Sequence, residues 1–184
     1  GTGSTLSYNS TASQTLSGII SGNGAITLNG SGTLTVQGAN GGYTGTTTIN
    51  AGTLSLALAT GGSATGSLGN TNVIVNSGAT LVGNQNHVLN GITSLTLNNS
   101  TLSTAYILRN YGGSLVMNNG TVTGGAGSEI GAGSYTLSGN NTFSGPSITN
   151  GSGVFNVTSG TTTFTTSAIT FGFGGGPLTK NGTG

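Results

Sequence analysis

The feature that most restricts this chain is a period of two that runs its whole length. Apolar residues alternate with small polar ones at Thr33-Leu34-Thr35-Val36-Gln37, Thr53-Leu54-Ser55-Leu56-Ala57-Leu58 and Ser94-Leu95-Thr96-Leu97-Asn98. The pattern continues at Ser114-Leu115-Val116-Met117-Asn118, Ser134-Tyr135-Thr136-Leu137-Ser138, Val154-Phe155-Asn156-Val157 and Ile169-Thr170-Phe171-Gly172-Phe173, and with a filled middle at Asn72-Val73-Ile74-Val75-Asn76. Shorter echoes occur at 25–28, 48–50, 79–82, 121–123 and 147–149. Alternation bounded by Gly and Asn marks half-buried strands. No window carries a helical period, and Gly and Thr disfavour helix. The chain reads as all-β.

Composition alone points elsewhere. Gly, Ser, Thr and Asn fill 116 of 184 positions, a bias shared with low-complexity chains. The ordered alternation and a net charge of +1 argue against disorder. Asn-Gly steps at Asn23, Asn29, Asn40, Asn90, Asn119, Asn150 and Asn181 read as tight turns, because both residues tolerate positive φ.

The charged residues are Arg109, Lys180 and Glu129, with His87 beside them, and there is no Cys. One carboxylate cannot form the acid–base pair of most glycosidases or a calcium cage. A serine triad lacks its Asp, and a zinc site lacks its thiolates. Two cations make no phosphate-binding patch, so nucleic acid is not an expected partner. No apolar run is long enough to span a bilayer as a helix, so membrane insertion is not expected either. The expectation is a non-enzymatic chain without a cofactor. With no Cys, redox compartment cannot be read directly.

Asn-Gly is also a hairpin signal and would suit an antiparallel sandwich. Sandwiches, however, keep a charged outer face for solubility. Short strands, small corner residues and abundant Asn and Thr suit a β-solenoid better. Its coils stack about 4.8 Å apart, so like residues form rows. In this reading Asn and Thr rows satisfy one another between coils while Leu, Ile, Val and Phe fill a narrow interior. Residues 1–184 form one such domain.

Two internal echoes support a repeat. Leu34–Asn40, Tyr43–Gly45 and Ile49–Leu56 match Tyr135–Asn141, Phe143–Gly145 and Ile148–Val157, with small length changes. Gly24–Gly32 matches Gly176–Gly184. The segment Leu178–Gly184 (LTKNGTG), with Gly32–Leu56 (GTLTVQGANGGYTGTTTINAGTLSL) and Asn72–Leu81 (NVIVNSGATL), resembles the autotransporter-associated β-strand repeat of bacterial surface proteins. The resemblance implies a right-handed parallel β-helix, secretion, and a stalk or adhesin role. Leu28 departs from it, standing where the family usually has the Lys seen at Lys180.

The candidate ligand surface is Tyr106, Arg109 and Tyr111, with Arg109 packed on a surface tyrosine and glycans as the partner. Glu129 reads as a solvated turn residue and His87 as a ladder or turn residue. A Lys180–Asn crosslink assisted by Glu129 would need residues 51 positions apart to meet. The pairs Thr33/Thr35, Thr46/Thr48, Thr121/Thr123, Thr161/Thr163 and Thr163/Thr165 resemble the threonine arrays of ice-binding solenoids, an alternative function. Their spacings of 13, 75 and 40 residues do not themselves give one regular face, and cross-coil Thr ladders are the plainer reading. Sequons start at Asn9, Asn29, Asn98, Asn99, Asn119, Asn140, Asn150, Asn156 and Asn181.

Both ends fall inside copies of the repeat and carry no polar cap. The expected partner is therefore the chain itself or a neighbouring repeat, joined end to end. At roughly 20 residues per coil the chain makes about nine coils, near 43 Å at ~4.8 Å each. The functional expectation is an extracellular or cell-surface structural protein, a building block of a filament or stalk, with a glycan-binding adhesin as the alternative.

Overall fold

A computed structural model of the protein describes residues 3–58, 68–166, 168–171 and 178–180. The alternating segments become short strands, each pairing with the strand one coil before and one coil after it. In chain order the strands are β1 Thr5–Tyr8, β2 Gln14–Leu16, β3 Ala25–Leu28, β4 Thr33–Val36, β5 Thr47–Ile49 and β6 Thr53–Leu56. Then come β7 Asn72–Val75, β8 Thr80–Gly83, β9 Ser94–Asn98, β10 Thr101–Thr104, β11 Ile107–Asn118 and β12 Thr121–Gly124. The last six are β13 Glu129–Ser138, β14 Asn141–Gly145, β15 Ser147–Val157, β16 Thr162–Thr166, β17 Ile169–Phe171 and β18 Leu178–Lys180.

Odd-numbered strands build one parallel sheet in the order β1-β3-β5-β7-β9-β11-β13-β15-β17, with β18 also on β15. Even-numbered strands build a second, eight-stranded sheet from β2 to β16. The chain is thus a β-solenoid of about 8 turns, with no helix among the described residues. At ~4.8 Å per coil that is roughly 38 Å. The sequence suggested nine uniform coils. The coils are unequal instead: 20 residues separate the register partners Thr33 and Thr53, but 27 separate Thr53 and Thr80.

β11, β13 and β15 are long because each bends through two faces. Their register breaks between Asn110 and Ser114 and between Ala132 and Ser134. The first halves form a third wall, in which Leu108, Ile130, Ile148 and Ile169 are successive partners.

Inward positions stack into continuous columns. One runs Ile26, Thr47, Val73, Leu95, Leu115, Tyr135, Phe155. On the other sheet Leu34, Leu54, Leu81, Leu102, Val122, Phe143 and Phe164 stack. These two columns are mainly aliphatic through most of the rod and aromatic in its C-terminal coils. There the register partners Phe143 and Phe164 stack with centroids 5.1 Å apart, and Tyr135 lies 4.9 Å from Phe155. Such contacts add about 0.5–1.5 kcal/mol beyond burial. Leu28, the departure from the repeat pattern, is fully buried in a third column with Ile49, Val75, Leu97, Met117 and Leu137. Backbone register continues this column through Val157 to Lys180.

Corners demand glycine where coils touch backbone to backbone. A Cβ on Gly45 would collide with the Gly24 carbonyl oxygen below it. Gly160 sits over Gly139, and both have φ near +70° (71° and 69°). The Asn-Gly steps are more varied than a turn signal implies. Asn119 has φ 54°, and Asn90 lies in a turn whose Gly91 has φ 90°. Asn40, by contrast, is fully buried and accepts the Ile20 N–H at 2.6 Å, and Asn150 lies inside β15 at 2% exposure. Burying a side-chain amide at a corner satisfies backbone groups that the bend leaves unpaired.

The two sequence echoes differ in phase. Gly24–Gly32 and Gly176–Gly184 place Ile26 and Leu178 at the same backbone register position of the odd-numbered sheet. The other echo is one face out: Leu34 lies in β4 of the even-numbered sheet, whereas its match Tyr135 lies in β13 of the odd-numbered sheet. It repeats a local strand–corner–strand pattern, not a coil.

Candidate functional site

The third wall brings the only ion pair among the described residues onto the surface. In β11, Leu108 and Asn110 point inward and Arg109 outward. Its register partner is Gly131, which has no side chain, while Glu129 pairs with Ile107. The guanidinium therefore reaches diagonally to Glu129, with Nε–Oε1 at 2.8 Å and Nη2–Oε2 at 2.6 Å. This fork-to-fork geometry ties one coil to the next. The side chains are 40% and 13% exposed for Arg109 and Glu129. Solvent screening therefore limits the pair to about 1 kcal/mol or less.

This placement corrects one expectation. Glu129 is the first residue of β13 and is mostly shielded, not a solvated turn residue. The Arg109 guanidinium is held by that carboxylate. Tyr106 is 41% exposed just before β11, its N–H donating to Thr104 Oγ1 at 2.9 Å. Tyr111 lies within β11, but its side chain is outside the described ones. Nearby, an open groove of about 480 Å³ is lined by Asn70, Asn90, Ile92, Thr93, Asn110 and Gly112. The clue in the sequence was the separation of 20 residues between Arg109 and Glu129, one coil.

His87 adopts φ 61° in a turn and donates its N–H to the Ile107 carbonyl at 2.8 Å. No group of three or more His, Cys, Asp or Glu gathers among the described residues. Lys180 lies in β18, with its side chain outside the described ones, and the Glu129 carboxylate is engaged by Arg109. Tyr43 is buried, donates to the Thr46 carbonyl at 2.9 Å, and has its phenol pKa raised by burial, partly offset by the Thr47 hydroxyl.

The polar rows behave in two ways. At one edge of the odd-numbered sheet, Asn29 donates to Asn9 at 3.1 Å, Asn50 to Asn29 at 2.8 Å, Asn76 to Asn50 at 2.8 Å, and Asn98 to Asn76 at 3.2 Å. Asn29, Asn50 and Asn76 each use Nδ2 on the coil before and Oδ1 for the coil after. The sequons at Asn29 and Asn98 sit in this ladder, where a glycan on Nδ2 would displace a bond.

On the even-numbered sheet the outward face carries Thr33, Thr53, Thr80, Thr101, Thr121, Thr142 and Thr163, each the register partner of the next. A second column beside it runs Thr35, Ser55, Val82, Ser103, Thr123, Ser144, Thr165. None of the seven threonine hydroxyls of the first column bonds to another described residue. The expected cross-coil ladder does not form along this column, although Thr93 and Ser94 on the other sheet's side donate to Asn70 and Asn72 one coil earlier. Unequal sequence spacings still give one regular face, because the extra residues lie in the corners. Of the pairs read from the sequence, Thr33/Thr35, Thr121/Thr123 and Thr163/Thr165 lie on it, whereas Thr48 belongs to the other sheet. Thr53, Thr80, Thr101 and Thr142 were not singled out, having Ser or Val two positions on. No family model, curated protein or solved structure matches the chain.

Proposed function

We propose that this β-solenoid is a structural repeat module that acts outside the cell, as a rod within a surface filament or stalk. Both sheets and the inward columns run through every described coil, and this carries the reading. Two of the columns end on apolar residues, whereas Gln14 stands opposite Leu34 and Lys180 opposite Val157 in register. Leu6, opposite Ile26, is 45% exposed, and Ile169, opposite Ile148, is 41% exposed. A further coil, from the same chain or a second copy, would continue the columns and pair the strand edges. The resemblance to the autotransporter-associated repeat supports the secreted setting.

Negative-stain electron microscopy of the purified chain tests the stacking. Long uniform fibres are expected, and isolated rods of about 4 nm would overturn self-stacking. With so few charges, the melting temperature should stay constant between pH 4 and 9.

A further inference from the structure

We infer that the outward face of the even-numbered sheet is an ice-binding surface, on which the paired threonine and serine columns hold water in register with the lattice. Three observations converge. First, the face is periodic in both directions. Hydroxyl-bearing side chains repeat every ~4.8 Å along the rod and about 6.6 Å across it, two residues along each strand. The first column is threonine in seven consecutive coils, a height of about 29 Å. The oxygen rows exposed by hexagonal ice repeat at similar intervals.

Second, the hydroxyls are available. The seven of the first column make no bond to another described residue, whereas the asparagine ladder has used its amides within the protein. Third, the surface is neutral and stiff. Its two columns contain Thr, Ser and one Val, with no charge to impose a competing hydration shell. Threonine is β-branched, so χ1 is already restricted and little is lost on binding. The register of this sheet has no break, while the odd-numbered sheet breaks twice. The equivalent outward column there is mixed, running Thr27, Thr48, Ile74, Thr96, Val116, Thr136, Asn156. The second column of the proposed face is weakest at Val82, at buried Ser55, whose hydroxyl receives Asn84 Nδ2 at 2.6 Å, and at Thr165, whose hydroxyl donates to the Phe143 carbonyl at 3.3 Å.

The test is nanolitre osmometry and ice-recrystallisation inhibition on the intact chain, beside a Thr80→Tyr/Thr101→Tyr variant and a Thr96→Tyr/Thr136→Tyr control. Circular dichroism verifies the fold of each. The wild type and control should show thermal hysteresis and faceted crystals, and the face variant should lose at least tenfold. Thr121→Lys replaces the tyrosine variant if that fails to fold. Absence of thermal hysteresis in the folded wild type overturns the proposal. So does equal activity in face variant and control. Retention on crystalline cellulose or chitin through the same face, without ice activity, assigns the surface to a polysaccharide and also overturns it.

Discussion

The asparagine ladder and the threonine column stand on the same coils at the same spacing, yet one is bonded internally and the other is not. Geometry decides this. The O and N atoms of an amide lie about 2.2 Å apart. Two in-register amides ~4.8 Å apart can therefore close to near 2.6–3 Å, and the observed bonds span 2.8–3.2 Å. A hydroxyl has one heavy atom, so its stacked copies stay near ~4.8 Å, well beyond bonding range. The same repeat that makes Asn a staple between coils makes Thr an outward-facing lattice. Which residue occupies a row decides whether that row stabilises the rod or faces solvent with unused bonding capacity.

Five substitutions, one of them read through a titration, sharpen that contrast. The largest loss should come from Leu81→Ala, a fully buried residue beside Thr80. It undermines the column beneath the threonine face by about 2–5 kcal/mol, measured by denaturant unfolding. Asn50→Ala, in mid-ladder, breaks two bonds and should cost about 1–3 kcal/mol. Asn98→Ala, which removes the donor to Asn76, should cost less. Equal losses at the two positions would show that the number of rungs broken does not set the cost.

Tyr43 gives a pH signature. Its pKa is raised above 10.0 by burial, so the unfolded chain ionises first as pH rises. Stability is then full below about pH 10 and falls through the folded pKa above it. Tyr43→Phe should flatten that alkaline decline in urea midpoints. Smaller still, Thr101→Val should change stability by no more than about 0.5 kcal/mol, because its hydroxyl has no partner to lose among the described residues. A loss near 1 kcal/mol in thermal unfolding would mean that the row is bonded after all.

Much of the fold was legible because alternation reports burial directly. Leu34, Leu54, Leu95, Leu115 and Tyr135 were all placed in strands by sequence and are buried there. The third wall was legible only in its later coils, at Ile148 and Ile169. Ile107–Asn110 holds an Arg and an Asn, and Glu129–Ala132 is short and small, so neither alternates long enough to signal. Register was hidden as well, since the 27-residue step from Thr53 to Thr80 interrupts any constant spacing. A turn motif also misdirects where a row competes for the same residue. Asn29-Gly30 looks like a turn, but Asn29 works as a ladder rung whose bonds depend on coils above and below. At the candidate site the ion pair was not legible. Arg109 was singled out for its aromatic neighbours, but its partner Glu129 lies one coil away.

The register itself is the central claim, and paired cysteines test it most directly because the chain has no Cys. Thr53→Cys/Thr80→Cys joins in-register partners on adjacent coils, within the Cα separation a disulfide needs. Thr53→Cys/Thr101→Cys spans two coils. Mild oxidation followed by non-reducing mass analysis should yield an intramolecular disulfide in the first variant and free thiols in the second. Free thiols in the first, or closure in the second, would contradict the stacking from which the ladder, the threonine face and the proposed function all follow.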